Sequence, residues 1–384
     1  MADLFFHIPE QILFGLDTLN RVGTLAGLYG RRALIVTEAI LYEQKTIERI
    51  QDLLSRKDID SIVYDEVVPN ATSTCVDEGV KLARSAHIDM VIGLGGMRTL
   101  STAKCIAMVA LQKREMDDFL SDLATEAEGN PLPYFEIPTT SRNSFMLVDS
   151  YLMVDARDRR ARIGRTQSGI TKAVIIDPKL TVTLPPKYTA TTLMSTLLSA
   201  IEGYLSTRSN FLSDTLFERA IELIGQAVSE AAEELEGLKF RGEAAKAGLL
   251  AALGLSMSKA GIGSALSYAI NARFMVPKSW LATILIPHIL EFHASVSAER
   301  VARIGRFMGE NLDEYTTVDA ANKTIETIRA RIGSMELPSR LRDFDLKLDD
   351  MIEVVETAHS FEMMNHLPRT VSTEDLYDII KSSF

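Results

Sequence analysis

The strongest constraint on this chain is a change of texture at Leu184-Pro185-Pro186. Before it, short β-branched runs alternate with helical stretches; after it, no strand-like run occurs. Ala33–Thr37 reads ALIVT, a continuous apolar run between Arg32 and Glu38, as expected of a strand buried on both faces of a parallel sheet. A helical pattern follows through Leu54, then strand runs at Ser61–Tyr64 and Met90–Gly93. Helices are read over Cys75–Ala86 and Leu100–Leu111, further strands at Phe135–Thr139 and Val174–Ile176, and a β-ribbon around Tyr151–Arg165. This alternation argues a doubly wound α/β domain. Beyond the prolines, Thr191–Ser206, Ser213–Glu234, Ala244–Asn271, Leu281–Ser295, Ala298–Met308, Ala320–Ile332, Leu348–Ala358 and Thr373–Lys381 all read as helices. The expected organisation is an α/β domain over residues 1–184 and an all-helical domain over residues 185–384. A cleft between them is the default site.

Composition narrows the function classes. The 384 residues are 46% hydrophobic, enough to bury a large core in about two domains. Net charge is −11 and no basic stripe is present, which argues against nucleic acid as a partner. Two cysteines, Cys75 and Cys105, offer no disulfide framework and fit a reducing cytoplasm. The start, MADLFFHIPEQ, lacks the basic and apolar regions of a secretory signal. The most apolar run, Trp280–Phe292, is short and carries Pro287 and His288, so no membrane partner is expected.

One spacing pattern carries chemistry. Ser195 and Ser199 are four apart, as are Ser264 and Tyr268, so each pair shares a helix face. Lys278 follows Pro277, where the chain can turn back toward the second pair. Two such pairs and a lone turn residue would suit a metal site if they were His and Asp. Here they are hydroxyls and one ammonium.

Eight segments in one order resemble the iron-dependent (group III) alcohol dehydrogenase family: PNAT at 69–72, VIGLGG at 91–96, STAK at 101–104, IPTT at 137–140, DPKLTVTLPP at 177–186, SAIEGY at 199–204, ILIPHILEF at 284–292 and HLPRTVSTEDL at 366–376. The resemblance implies a Rossmann-like, dinucleotide-binding α/β domain followed by an all-α domain, the dehydroquinate synthase-like architecture. It also implies a divalent iron or zinc held by one Asp and three His, positions filled here by Ser195, Ser199, Ser264 and Lys278. A further family histidine maps onto Tyr268. Hydroxyls are poor ligands for such a metal and a lysine puts a cation in its place, so no catalytic metal is expected.

The resemblance further implies an NAD or NADP site. Glu38 stands where family members carry an acid for the adenosine ribose, and Asn70, Gly95, Gly96, Thr139, Thr140 and Leu180 match cofactor contacts. The family's GGGS loop has Met97 and Arg98 in its last two positions here, and its TTAGTGSE loop becomes Thr139–Met146, with Arg142 and Phe145 at two small positions. Arg98 is a phosphate partner in this reading, and Arg142 with the serines would contact an anionic substrate. His288, His293 and His366 read as structural or surface residues, and Cys105 as a buried hydrophobe.

The functional expectation is a metal-independent oxidoreductase, in which Tyr268 delivers a proton and Lys278 polarises a carbonyl. Two rivals are a non-redox catalyst acting on an anionic small molecule and a retired enzyme serving as a binding partner. Residues 4–15 suit strand addition at a sheet edge, so a homodimer is expected.

Overall fold

The computed structural model describes residues 6–67, 71–124, 127–141, 143–230 and 237–384. They fall into two compact units, His7–Thr183 and a second that holds Leu184–Phe384.

In the first unit, β1 (Gln11–Phe14), β2 (Arg32–Val36), β3 (Asp60–Tyr64), β4 (Met90–Gly95), β5 (Tyr134–Pro138) and β8 (Thr171–Ile176) make one parallel sheet in the order β1-β8-β5-β4-β2-β3. The expected ribbon is an antiparallel pair, β6 (Ser150–Val154) and β7 (Ala161–Arg165). Its helices are α1 (Val22–Ala26), α2 (Ile40–Glu43), α3 (Thr46–Ser55), α4 (Ser73–Ser85), α5 (Met97–Val109) and α6 (Met116–Ser121). Side chains alternate across a strand, and β2 shows the consequence. Ala33 and Ile35 join a cluster with Ile47, Ile50 and Ile175, whereas Leu34 and Val36 join one with Val76, Val80 and Ile106. Both faces are therefore covered by helices, which is why the strands read as unbroken apolar runs. From β2 the sheet grows one way to β3 and the other way to β4, β5 and β8, so its topological switch point lies between β2 and β4.

The helical unit comprises α7 (Pro186–Leu205), α8 (Phe211–Glu230), α9 (Leu238–Leu255), α10 (Ile262–Phe274), α11 (Lys278–Phe307), α12 (Thr317–Ser334), α13 (Ile352–His359) and α14 (Thr373–Ser382). The helix expected over Ala244–Asn271 is two helices. The chain leaves α9 after Leu255, and Ser258 Oγ donates to the Gly203 carbonyl at 2.8 Å before Gly261 opens α10. That break is made by contacts with α7, which local periodicity does not encode. Conversely, the two helices expected over Leu281–Ser295 and Ala298–Met308 run on as α11 across a kink at Ser297. By length and composition α11 is apolar enough to cross a membrane, and its Ala282, Ile286, Leu290, Val301 and Ile304 pack in the core cluster of the helical unit.

Candidate active site

The switch point is built around a glycine turn. β4 ends at Gly95, whose φ of +155° favours glycine, and Gly96 opens α5. A Cβ on Gly95 would meet Glu38 Oε1 at 2.7 Å and Thr99 Cβ at 2.9 Å, so space and backbone both require glycine there. Glu38, just past β2, accepts the Gly96 amide at 2.9 Å and the Thr99 hydroxyl at 2.7 Å. A carboxylate thus occupies the positive end of α5, the end of a helix that attracts anions. The Thr139 amide bonds Gly95 O at 3.0 Å, and the Thr140 methyl lies 3.9 Å from where a Gly96 Cβ would stand. Five of the expected cofactor residues therefore meet at one place, in the crevice where open α/β sheets take their ligands. Arg98 is on the first turn of α5 beside them, and Met97 is buried. Leu180 is different: it packs in the core with Leu19, Ile35 and Ile92. Asn70 and Arg142 lie outside the described residues.

A buried polar network, which the sequence reading passed over, lies beside this crevice. Lys104 on α5 donates to the carbonyls of Phe145 (2.6 Å) and Val148 (3.2 Å), with Glu136 Oε2 at 3.5 Å. Asn143 Nδ2 donates to Glu136 Oε1, and Asn143 Oδ1 accepts the Phe145 amide at 2.9 Å. Burial pushes the Glu136 carboxyl up to about 7, against the pull of Lys104. The signal was available as a charge inside the apolar run YFEIP, since an ionised side chain in a central strand must be paired.

In the helical unit, three fastenings set the register of α7, α10 and α11. The Gly263 and Ser264 amides donate to the buried Glu202 carboxylate of α7, at 2.5 and 3.2 Å to Oε1. Burial raises the Glu202 carboxyl above its usual range, opposed by these amides and by the Ser264 hydroxyl, which leans on it short of hydrogen-bond geometry. Thr191 Oγ1 donates to Ser279 Oγ at 3.2 Å, tying α7 to the start of α11. Asn271 Nδ2 donates to Val276 O at 2.7 Å and closes the α10–α11 turn, with Met275 at a φ of +61°. Thr191, Ser195, Ser199 and Glu202 share one face of α7, so both serines lie between the two fastening points. Ser264 is in the first turn of α10, Tyr268 is one turn on, and Lys278 precedes Ser279. The register thereby sets the predicted residues along the contacts of α7 with α10 and α11. Lys278, expected in a turn, is the first residue of α11 instead. Glu202 and Asn271 carry this arrangement and were not singled out from sequence; Glu202 was legible only as the acid within SAIEGY.

Comparison with known proteins agrees with the geometry. Residues 9–178 match the model of the iron-containing alcohol dehydrogenases, and residues 189–384 match that of the Fe-containing alcohol dehydrogenase family C-terminal domain. The chain belongs to the iron-containing alcohol dehydrogenase family. It is 27% identical over 383 residues to the 1,3-propanediol dehydrogenase of Citrobacter freundii, covering 99% of this chain and 98% of the other. It is 25% identical over 380 residues to the NAD-dependent methanol dehydrogenase of Bacillus methanolicus, covering 98% and 99%. A solved 1,3-propanediol oxidoreductase superimposes over 100% of both chains with a TM-score of 0.93 at 25% identity.

Within the family fold, the donor set at the four mapped metal positions does not fit a divalent ion. Ser195 Oγ is fully buried with no hydrogen-bond partner among the described residues, and Ser199 Oγ donates to the Ser195 carbonyl at 3.1 Å. Ser264 offers another neutral hydroxyl, and Lys278 a cation. No group of three or more His, Cys, Asp or Glu side chains suited to a metal occurs among the described residues. Neutral hydroxyls and an ammonium supply none of the charge or softness that such an ion selects.

Proposed function

We propose that this family member is a metal-independent, nicotinamide-linked reductase of a small carbonyl compound. Gly95, Gly96, Arg98, Thr139 and Thr140 would hold the dinucleotide, together with Asn70 and with Glu38 on the adenosine side. A dinucleotide, when bound, would supply the hydride. Tyr268 would give the carbonyl oxygen its proton, and the Lys278 ammonium would stabilise the charge on that oxygen. Arg142 would contact the substrate, with the buried Ser195, Ser199 and Ser264 filling the space behind it. The observation that carries this reading is the place of Lys278. It is the first residue of the 30-residue α11, whose first turn holds no acidic residue. A cation there opposes the helix dipole by about 0.3–1 kcal/mol, and the next residue, Ser279, accepts the Thr191 hydroxyl of the helix that carries Ser195 and Ser199.

A second reading, a retired enzyme that serves as a binding partner, draws on the complete burial of Ser195, Ser264 and Ser267, whose hydroxyls touch no water-sized space. Titration with NADH and NADPH, followed by cofactor fluorescence and melting temperature, separates the two. The reductase reading requires binding of at least one, and a null result with both leaves the second reading.

The same proposal takes the protein to be a cytoplasmic homodimer. In support, Cys75 and Cys105 are both buried, and neither is in a disulfide among the described residues. β1 lies at the sheet edge beside a groove of about 590 Å³ lined by Gln11, Leu13, Arg21 and Thr24.

A further inference from the structure

We propose that the buried Lys104–Glu136 pair is a positioning device for the 143–148 segment, and so sets how tightly the protein holds the nicotinamide end of a dinucleotide. The inference rests on the dinucleotide reading above, because this segment replaces the family loop that wraps the nicotinamide.

The geometry is a closed relay. Glu136 holds the Asn143 side-chain amide, Asn143 holds the Phe145 amide, and Lys104 takes the Phe145 and Val148 carbonyls from the other side. Glu136 and Lys104 are both essentially without solvent contact, so neither is a solvated surface charge. A fully apolar pair would fill the same volume at no desolvation cost. What the charged pair adds is direction, since an ammonium and a carboxylate fix three backbone and side-chain groups of one short segment, and through Asn143 a fourth.

The surroundings leave few other titratable groups. Glu136 faces Lys104 from α5, Asn143 from the segment itself and the Tyr134 hydroxyl from its own strand. That hydroxyl donates to Leu100 O at 3.0 Å. Cys105, the next residue of α5, is buried with its thiol pushed far from ionisation. The register neighbours in β4 and β8 are Gly93 and Val174, which do not titrate. With a carboxyl at about 7, the relay tightens as Glu136 ionises, because a charged acceptor holds Asn143 more strongly than a neutral one.

The test uses the full chain, with Glu136→Gln removing the charge and Asn143→Ala cutting the relay at its other end. Amide hydrogen exchange at Phe145 reads the anchor, and fluorescence or calorimetric titration reads NADH against ADP-ribose, which lacks the nicotinamide ring. In both variants the Phe145 amide is expected to exchange at least tenfold faster, and NADH to bind roughly tenfold more weakly with ADP-ribose unchanged. Wild-type affinity for NADH should rise between about pH 6 and about pH 8, and Glu136→Gln should flatten that rise. Unchanged exchange at Phe145 in both variants overturns the anchor. Equal weakening of NADH and ADP-ribose overturns it as a nicotinamide-end device. If Phe145 responds but wild-type protein binds neither ligand, the dinucleotide reading fails and the cofactor role falls with it.

Discussion

Glu38 Oε1 accepts the Gly96 amide at 2.9 Å, seating a carboxylate of this chain on the positive end of α5. A dinucleotide phosphate that approached the same helix end would meet that charge. Glu38→Gln keeps the shape and removes the charge, so NADPH, which carries one more phosphate, should gain affinity relative to NADH, read as the ratio of their Kd values. Loss of the charged cap should also cost about 0.5–1 kcal/mol in urea unfolding. An unchanged ratio would mean that Glu38 stays on Gly96 and never meets the ligand.

Tyr268→Phe keeps ring volume at a position only 1% exposed, and Lys278→Ala acts at the first residue of α11. Each should lower carbonyl turnover by about 10²- to 10⁴-fold, the usual contribution of a positioned proton donor or charge. Melting temperatures should stay near that of wild type. Turnover equal to wild type in either variant removes that residue from the mechanism.

Glu202 is a buried cap supplied to α10 from α7. Glu202→Ala leaves the Gly263 and Ser264 amides without their acceptor and opens a cavity, so chemical denaturation should show a loss of roughly 2–4 kcal/mol. Glu202→Gln retains an acceptor and should lose less than half of that. Equal losses would show that packing, not the amide cap, is what Glu202 provides.

Two buried groups give opposite pH signatures. Burial holds His293 down at about 4, below its ordinary 6.5. The unfolded chain therefore binds that proton more readily, and stability falls as pH drops from about 6.5 toward 4. Burial lifts Glu136 from 4.5 to about 7, so its contribution is present below 4.5 and is lost as pH rises toward 7. Urea unfolding across this range should show a shallower acid-side decline in His293→Gln. In Glu136→Gln the loss on the alkaline side should shrink. Parallel curves for wild type and either variant would contradict the assignment for that residue.

The sheet was legible because apolar strands of a two-faced parallel sheet announce themselves as unbroken runs, as at Ala33–Val36 and Met90–Leu94. Helix ends were less legible where tertiary contacts set them. The α9–α10 break depends on Glu202 and Ser258 reaching across to and from α7, and α11 continues through Ser297 although its backbone there is not helical. At the candidate site, the i, i+4 pairs on α7 and α10 were visible as spacing. The residues that fasten those helices, Glu202, Thr191 and Asn271, were not, because their partners lie distant in sequence or on the backbone. α6 also went unread: six residues long, it starts from a reciprocal cap between Glu115 and Asp118 and offers too little periodicity to detect.

In the proposed reductase, hydroxyls and one ammonium take the positions that the family builds for a divalent ion. Inductively coupled plasma mass spectrometry on protein purified without chelator, after growth with added iron and zinc, tests this directly. The expected result is far less than one Fe or Zn per chain, unchanged in Ser195→Ala and Ser264→Ala. One equivalent of either metal, lost in those two variants, would contradict it.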